Sequence, residues 1–322
     1  MPIKLVNGIN MYYEVHGEGE PLVLISGFGT DCMVWMPILA NLLQGGFKVI
    51  LIDNRGIGQT DDIDSAYSTE LMAQDTAALL KELGITNAFV VGHSMGGLIA
   101  QQLAIHFPEL VGRLVLYSTY AKMSPRALQL MEFSGEFFRL GASEVAIKYI
   151  MSISYSDGFL ANEEVSKQVF NMIKSNPRPQ SQISYMRQLD ACRNHDTEKQ
   201  LKDIKIPVLI VDGARDIISM NEEREVLVRG IPNAESRTFD GMAHFTHLEL
   251  ITEFVNILQD FLKQKVTDVK IKKRMREGEA DEEKTVENKP ADQSNAKFFK
   301  SDKVSSQSGF AEERPAIQRP VS

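Results

Sequence analysis

The chain has 322 residues, 43% of them hydrophobic and 24% charged, which is enough for one large domain with a sizeable core. Its net charge of −8 is uneven: residues 266–322 carry 12 Lys+Arg against 11 Asp+Glu, so the preceding body is the acidic part. An acidic body excludes a general phosphate-binding surface, so nucleic acid is not an expected partner. No apolar run nears the roughly 18–20 residues that cross a bilayer, so no integral membrane segment is expected.

The first segment, MPIKLVNGIN, lacks the apolar stretch of a secretory signal. IKLV and INMYYEVH are alternating runs flanking Asn7-Gly8, a hairpin signal, so an antiparallel edge is expected first. PLVLIS (21–26), FKVILID (47–53), NAFVVG (87–92), GRLVLYS (112–118) and IPVLIVDG (206–213) follow as short runs rich in Val, Ile and Leu. Such runs suit strands buried on both faces of a parallel sheet. Helical stretches lie between them at 34–43, 69–84 and 98–107. The alternation predicts an α/β class, a mostly parallel sheet with helices on both faces.

Residues 120–200 break the rhythm with helical patterns rich in Met and Phe, such as ALQLMEFSGEFFRLG. An insert of that length is too long for a plain loop and reads as a helical cap. The expected organisation is therefore core 1–119, cap 120–200, core 201–265 and a charged tail 266–322. The tail has too few aliphatic residues to offset its ordering entropy and is expected to be disordered. Its basic run, Lys270 to Arg276, suits an anionic membrane or an import receptor, but beside EGEADEE it reads first as a solvated linker. A tail-bound partner is left unidentified. Two cysteines, Cys32 and Cys192, offer neither a disulfide framework nor metal-ligand spacing, so a reducing, cytoplasmic setting is the default expectation.

FVVGHSMGGLIAQQLAIHF (89–107) runs an apolar strand through Gly-His-Ser-Met-Gly into a helix. In that context Ser94 occupies a strained turn that displays its hydroxyl at the sheet edge, with Gly92 and Gly96 allowing close backbone approach. A hydroxyl nucleophile needs a base. Of six histidines, only His244 and His247 follow the last plausible strand, at 236–239. His244 lies just after the Gly241 turn and is taken as base; His247 opens the final helix, a capping or packing position. The orienting acid is Asp216, three residues beyond Gly213, with Asp212 as runner-up inside the strand end. An oxyanion hole needs two backbone N–H groups. Met95, next to the nucleophile, supplies one, and Phe28, in the Ser-Gly-Phe-Gly loop after PLVLI, is the best source of the other. Trp35 and His93 are candidates for the pocket mouth, with packing as the alternative for each.

These motifs resemble the α/β-hydrolase superfamily in the branch with a helical cap, over about residues 3–263. The likeness rests on SGFGTD (26–31), IDNRGIGQTD (52–61), GHSMGG (92–97), DGARD (212–216) and AHFTHLE (243–249). It implies Ser94, Asp216 and His244 as a triad, Phe28 and Met95 as oxyanion donors, and Asp53 and Arg55 as loop braces. GTDCMVW (29–35) is similar to the oxyanion segment of 3-oxoadipate enol-lactonases, whereas Ser26 replaces the family's common His. A Ser rather than Asp at residue 94 argues against an epoxide hydrolase or haloalkane dehalogenase. The expected activity is hydrolysis of a small to medium ester, lactone or thioester through an acyl-enzyme, with no metal or organic cofactor. Alternatives are an acyltransferase, a cofactor-free perhydrolase or haloperoxidase on the same triad, and a non-catalytic hydrolase-like receptor.

Overall fold

The computed structural model describes residues 2–263, so the expectations for the tail lie outside the described residues. The chain opens with the hairpin: β1 (Ile3–Val6) pairs antiparallel with β2 (Ile9–His16), Val6 facing Ile9. Asn7 and Gly8 between them both have positive φ, 46° and 79°, the conformation a two-residue primed turn demands. Then come β3 (Glu20–Ile25), α1 (Met36–Gln44), β4 (Phe47–Ile52), α2 (Thr69–Glu82), β5 (Ala88–His93), α3 (Met95–His106) and β6 (Val111–Tyr117). Five helices follow without a strand: α4 (Pro125–Arg139), α5 (Ser143–Ser154), α6 (Asp157–Ala161), α7 (Glu163–Lys174) and α8 (Gln182–Arg193). The chain returns to the sheet with β7 (Val208–Gly213), α9 (Asn221–Gly230), β8 (Ala234–Phe239), α10 (Thr246–Glu249) and α11 (Ile251–Leu262).

All eight strands form one sheet in the order β1-β2-β4-β3-β5-β6-β7-β8, antiparallel at β1–β2 and β2–β4 and parallel elsewhere. Alternate strand residues feed opposite faces. Val23, Ile25, Val90, Leu114 and Ile210 pack with α2 and α3, while Leu22, Leu24, Val91, Val115 and Val211 pack with α1 and α11. Each is at most 2% exposed. Burying a side chain of this type contributes roughly 1.5–3 kcal/mol, which is why the strands read as continuous apolar runs.

The order reverses at β3: the chain leaves it for β4 on one side and then returns to β5 on the other. At such a switch point the loops after the two strands diverge and leave a crevice at their carboxyl ends. Here those loops begin at Ser26 and at Ser94. The turn at Asp53–Thr60 braces the crevice. Asp53 accepts from the N–H groups of Cys32 and Gln59, both at 2.8 Å, and Asn54 Nδ2 donates to the Ser26 carbonyl at 3.0 Å. Arg55 forms a buried bidentate pair with Asp75 of α2, both contacts 2.7 Å.

The helical insert lies over this end of the sheet and is hydrogen-bonded to it on two sides. Gln180 Nε2 and Gln188 Nε2 donate to the carbonyls of Gly56 and Arg55 at 3.1 and 3.0 Å. On the other side, Phe245 N–H donates to the Ser154 carbonyl at 3.2 Å, and the rings of Tyr155 and Phe245 stack at 5.3 Å.

Candidate active site

Ser94 joins β5 to α3 at φ 53°, ψ −118°, in a left-handed region that a residue with a Cβ enters only under constraint. The constraint is close packing. A Cβ on Gly92 would stand 2.3 Å from the Gly96 carbonyl oxygen, and one on Gly96 would stand 2.1 Å from that of Ile25. Both must be glycine for the turn to close. The Ser94 N–H donates to the Tyr117 carbonyl at 2.9 Å, and its own carbonyl accepts from Gly97 N–H and from the Thr119 hydroxyl, each at 2.8 Å. The side chain makes no capping bond at the head of α3, and among the described residues its hydroxyl has no hydrogen-bond partner. The helix begins at Met95 rather than at residue 98, because Ser94 itself makes the whole turn.

Asp216 is fixed by a tight loop after β7. Its Oδ1 accepts from the N–H groups of Ile218 and Ser219 at 2.8 and 3.0 Å, and its Oδ2 from the Ser219 hydroxyl at 2.8 Å. The same Oδ2 lies 2.7 Å from His244 Nδ1. Burial alone would raise the carboxyl's proton affinity. The facing His244 and the converging N–H groups outweigh it and hold the carboxyl below the usual range. An ionised Asp216 keeps the proton on His244 Nδ1, leaving Nε2 as the basic nitrogen. Asp212, the alternative acid, instead lies 3.8 Å from Arg224 Nε of α9.

Beneath His244 lies a buried cluster of His93, Tyr117, His247 and Trp35. His93 Nε2–H donates to the His244 carbonyl at 3.0 Å, with the Tyr117 hydroxyl 3.1 Å from the same oxygen. That hydroxyl also accepts from His247 N–H at 3.1 Å and sits 3.1 Å from His247 Nδ1. His247 Nε2 faces the Val34 carbonyl at 3.3 Å, which assigns the proton to Nε2 and leaves Nδ1 as an acceptor. Tyr117's single proton is thus shared between His247 Nδ1 and the His244 carbonyl. Burial is the main force holding both rings neutral: it drives His93 well below the ordinary histidine value and His247 down to about 3. Trp35 packs 4.9 Å from His247 and edge-on to His93 at 6.2 Å. With Trp35 and His93 exposed by 0% and 1%, both occupy the core under the His244 loop and not the mouth of a pocket. His247 belongs to the short α10, separated from the terminal helix by a break at Leu250.

The loop after β3 approaches from the other side. A Cβ on Gly27 would stand 3.2 Å from the Ser94 Cβ. Thr30 closes the loop by donating its N–H and hydroxyl to the Gly27 carbonyl at 3.4 and 3.0 Å. The N–H groups of Phe28 and Met95 have no acceptor among the described residues. Phe28 joins an apolar cluster with Met123, Met131, Ile153, Leu189 and Ile218, drawn from the cap and from the Asp216 loop. Ser94 is 9% exposed. Two surface clefts lie elsewhere. One of about 270 Å³ is lined by Glu132, Arg139 and Arg193 of the cap, and one of about 400 Å³ by Glu20, Phe47 and Arg113. Among the described residues no His, Cys, Asp and Glu group has metal-binding geometry, and no helix is long and apolar enough to cross a membrane.

Comparison with known proteins agrees with this architecture. The chain is 28% identical over 262 residues to a pimeloyl-[acyl-carrier protein] methyl ester esterase of Legionella pneumophila, covering 79% of this chain and 100% of the relative. It is 30% identical over 270 residues to a 2-hydroxy-6-oxononadienedioate/2-hydroxy-6-oxononatrienedioate hydrolase of Paraburkholderia phymatum, covering 80% and 92%. The crystal structure of the enol-lactonase from Burkholderia xenovorans superposes with a TM-score of 0.74 at 25% identity, covering 82% of this chain and 100% of that one. The sequence model of the alpha/beta hydrolase fold matches residues 20–249, and the chain belongs to that family.

Proposed function

We propose that the protein is a serine hydrolase that cleaves a carboxylic ester, lactone or thioester through an acyl-enzyme on Ser94. The observation that carries this reading is an uncapped serine at φ 53° after β5, together with a buried Asp216–His244 couple at 2.7 Å in the loops after β7 and β8. His244 Nε2 takes the Ser94 proton as the hydroxyl oxygen attacks the carbonyl carbon. Asp216 stabilises the imidazolium that forms. The negative charge that develops on the carbonyl oxygen is met by the Phe28 and Met95 N–H groups, the second lying at the positive end of α3. Collapse expels the alcohol or thiol, which receives the proton from His244. Water, deprotonated by the same nitrogen, then releases the acid. The cluster around Phe28 and Met131 receives an apolar acyl group. Relatives named methyl ester esterase, enol-lactonase and hydrolase support water as the acyl acceptor.

A fluorophosphonate probe followed by a panel of p-nitrophenyl esters and lactones tests this. Wild type is expected to label at Ser94 and to turn over at least one member of the panel, and Ser94→Ala to lose both, by at least about 10³-fold. Labelling elsewhere, or turnover that survives in Ser94→Ala, overturns the reading.

A further inference from the structure

Gly27 and Gly29 flank Phe28, and this pair gives the oxyanion loop more conformational freedom than its own sequence can restrain. Gly29 adopts φ +69°. Thr30 restrains one end of the loop through the Gly27 carbonyl, and the cap restrains the other. Tyr185 and Gln188 stand one turn apart on α8 and face the loop together. The Tyr185 ring lies 4.4 Å from that of Phe28. Gln188 Oε1 accepts from Gly29 N–H at 3.2 Å, while its Nε2 donates to the Arg55 carbonyl at 3.0 Å. The side chain is fully buried, so neither bond competes with water. Gln188 therefore ties the oxyanion loop to the rigid turn that carries the Arg55–Asp75 pair.

Capture of the Gly29 N–H fixes the plane of the Phe28–Gly29 peptide. Thr30 holds the Gly27 carbonyl and with it the Gly27–Phe28 peptide that carries the Phe28 N–H. Thr30 and Gln188 together therefore fix the peptides on both sides of the Phe28 Cα, and hence where that N–H stands. We propose that Gln188 is a positioning residue of the oxyanion hole, through which helix α8 completes the half of the site that stabilises the transition state. This inference rests on Ser94 acting as the nucleophile. It makes cap docking a condition for fast chemistry as well as for substrate enclosure.

The test replaces Gln188 with Met, which keeps length and removes both hydrogen bonds. Gln180→Met is the control. It removes the neighbouring cap anchor to Gly56 without a hydrogen bond to Gly29. Removing an oxyanion donor outright costs about 10²–10³-fold in kcat. Loosening one is therefore expected to lower kcat for p-nitrophenyl acetate by about 10–100-fold in Gln188→Met, with KM within about 3-fold. Affinity for trifluoroacetone, whose adduct with Ser94 carries the oxyanion, should weaken by the same factor as kcat/KM. Gln180→Met should stay within about 3-fold of wild type. If Gln188→Met fails to fold, Gln188→Asn, which withdraws the amide by one methylene, should show the same kcat-selective loss. A folded Gln188 variant with wild-type kcat overturns the proposal. So does a loss confined to KM, trifluoroacetone affinity that does not follow kcat/KM, or an equal loss in Gln180→Met. Failure of wild type to label at Ser94 would instead sink the nucleophile reading itself.

Discussion

The two halves of the proposed site are held in different ways. The acid–base half is built into the sheet. Asp216 takes three hydrogen bonds from its own loop, and the backbone of His244 rests on His93 and Tyr117, side chains of β5 and β6. The proposed oxyanion half joins the Met95 N–H at the head of α3 to a Gly-Phe-Gly loop that Thr30 closes and that the cap residues Tyr185 and Gln188 anchor. Rigid support for one half and borrowed support for the other mean that cap displacement should act on transition-state stabilisation while leaving the base in place.

Asp216→Asn attacks the rigid half at its most constrained point and carries the largest expected effect. The amide keeps the shape of the carboxylate but presents an N–H₂ to His244, favouring the tautomer with the wrong basic nitrogen. A fall in kcat of about 10³–10⁴-fold is expected, with KM changed by only a few-fold, measured on whichever ester the wild type hydrolyses best. A loss of less than about 10-fold would show that Asp216 does not orient the base.

Acid should also strike this half first. His247 is neutral in the fold, with its value pushed by burial to about 3, and an unfolded histidine titrates near 6.5. Between those values the unfolded chain binds more protons. The stability His247 contributes is therefore complete above about pH 6.5 and is lost as pH falls toward 3, by roughly 1.4 kcal/mol per pH unit. His93 and His195, the latter lowered to about 4 by burial, act in the same direction. Glu249, raised by burial, acts in the opposite one. Urea midpoints at pH 7.5 and 5.0 should differ clearly, the lower belonging to pH 5.0. The emission of Trp35, the chain's single Trp, should change with the unfolding because its ring rests on His247. Equal midpoints would mean that the histidines titrate with solvent access.

A smaller cut separates support from chemistry. Tyr117→Phe removes one hydroxyl, which deprives the buried His247 N–H of its acceptor while His93 still holds the His244 carbonyl. Stranding a buried N–H costs about 1–3 kcal/mol of stability, readable in urea unfolding, while kcat should fall by less than about 10-fold. A kcat loss near that of Asp216→Asn would assign Tyr117 a direct part in the chemistry.

The same division explains what the sequence discloses. Strands β3 to β7 are legible because burial on both faces fills them with runs of Val, Ile and Leu, and Gly92 and Gly96 are legible because their neighbours leave no room for a Cβ. The meeting of Asp216 with His244 follows from their places after β7 and β8, which are adjacent in the sheet. Tyr117, His247 and Gln188 carry no such signal. Tyr117 reads as one more apolar strand residue, His247 as the first turn of a helix, and Gln188 as an ordinary polar position on α8. Each gains its role from a partner more than 100 residues away in sequence, Tyr117 and His247 from one another and Gln188 from Arg55 and Gly29. Trp35 and His93 mislead for the converse reason: an aromatic beside a catalytic motif has the same local pattern whether it lines a pocket or fills the floor beneath it.

The last prediction probes the cap's second foothold, on the His244 side. Ser156 caps α6 by accepting from Phe159 N–H at 3.2 Å, donates its hydroxyl to Glu249 Oε2 and donates its N–H to Glu249 Oε1 at 3.0 Å. Ser156→Ala removes the first two and keeps the third, for a cost of about 1 kcal/mol, or about 2–4 °C in melting temperature for a core of this size. If that cost stays within the cap, proteolysis or amide exchange in α6 and α7 should quicken while kcat stays within about 2-fold. The reason is that His93 and Tyr117 of the sheet still hold the His244 carbonyl and the Phe245–Ser154 bond is left in place. If kcat instead falls as far as in Gln188→Met, both halves depend on the cap, and the distinction between rigid and borrowed support is wrong.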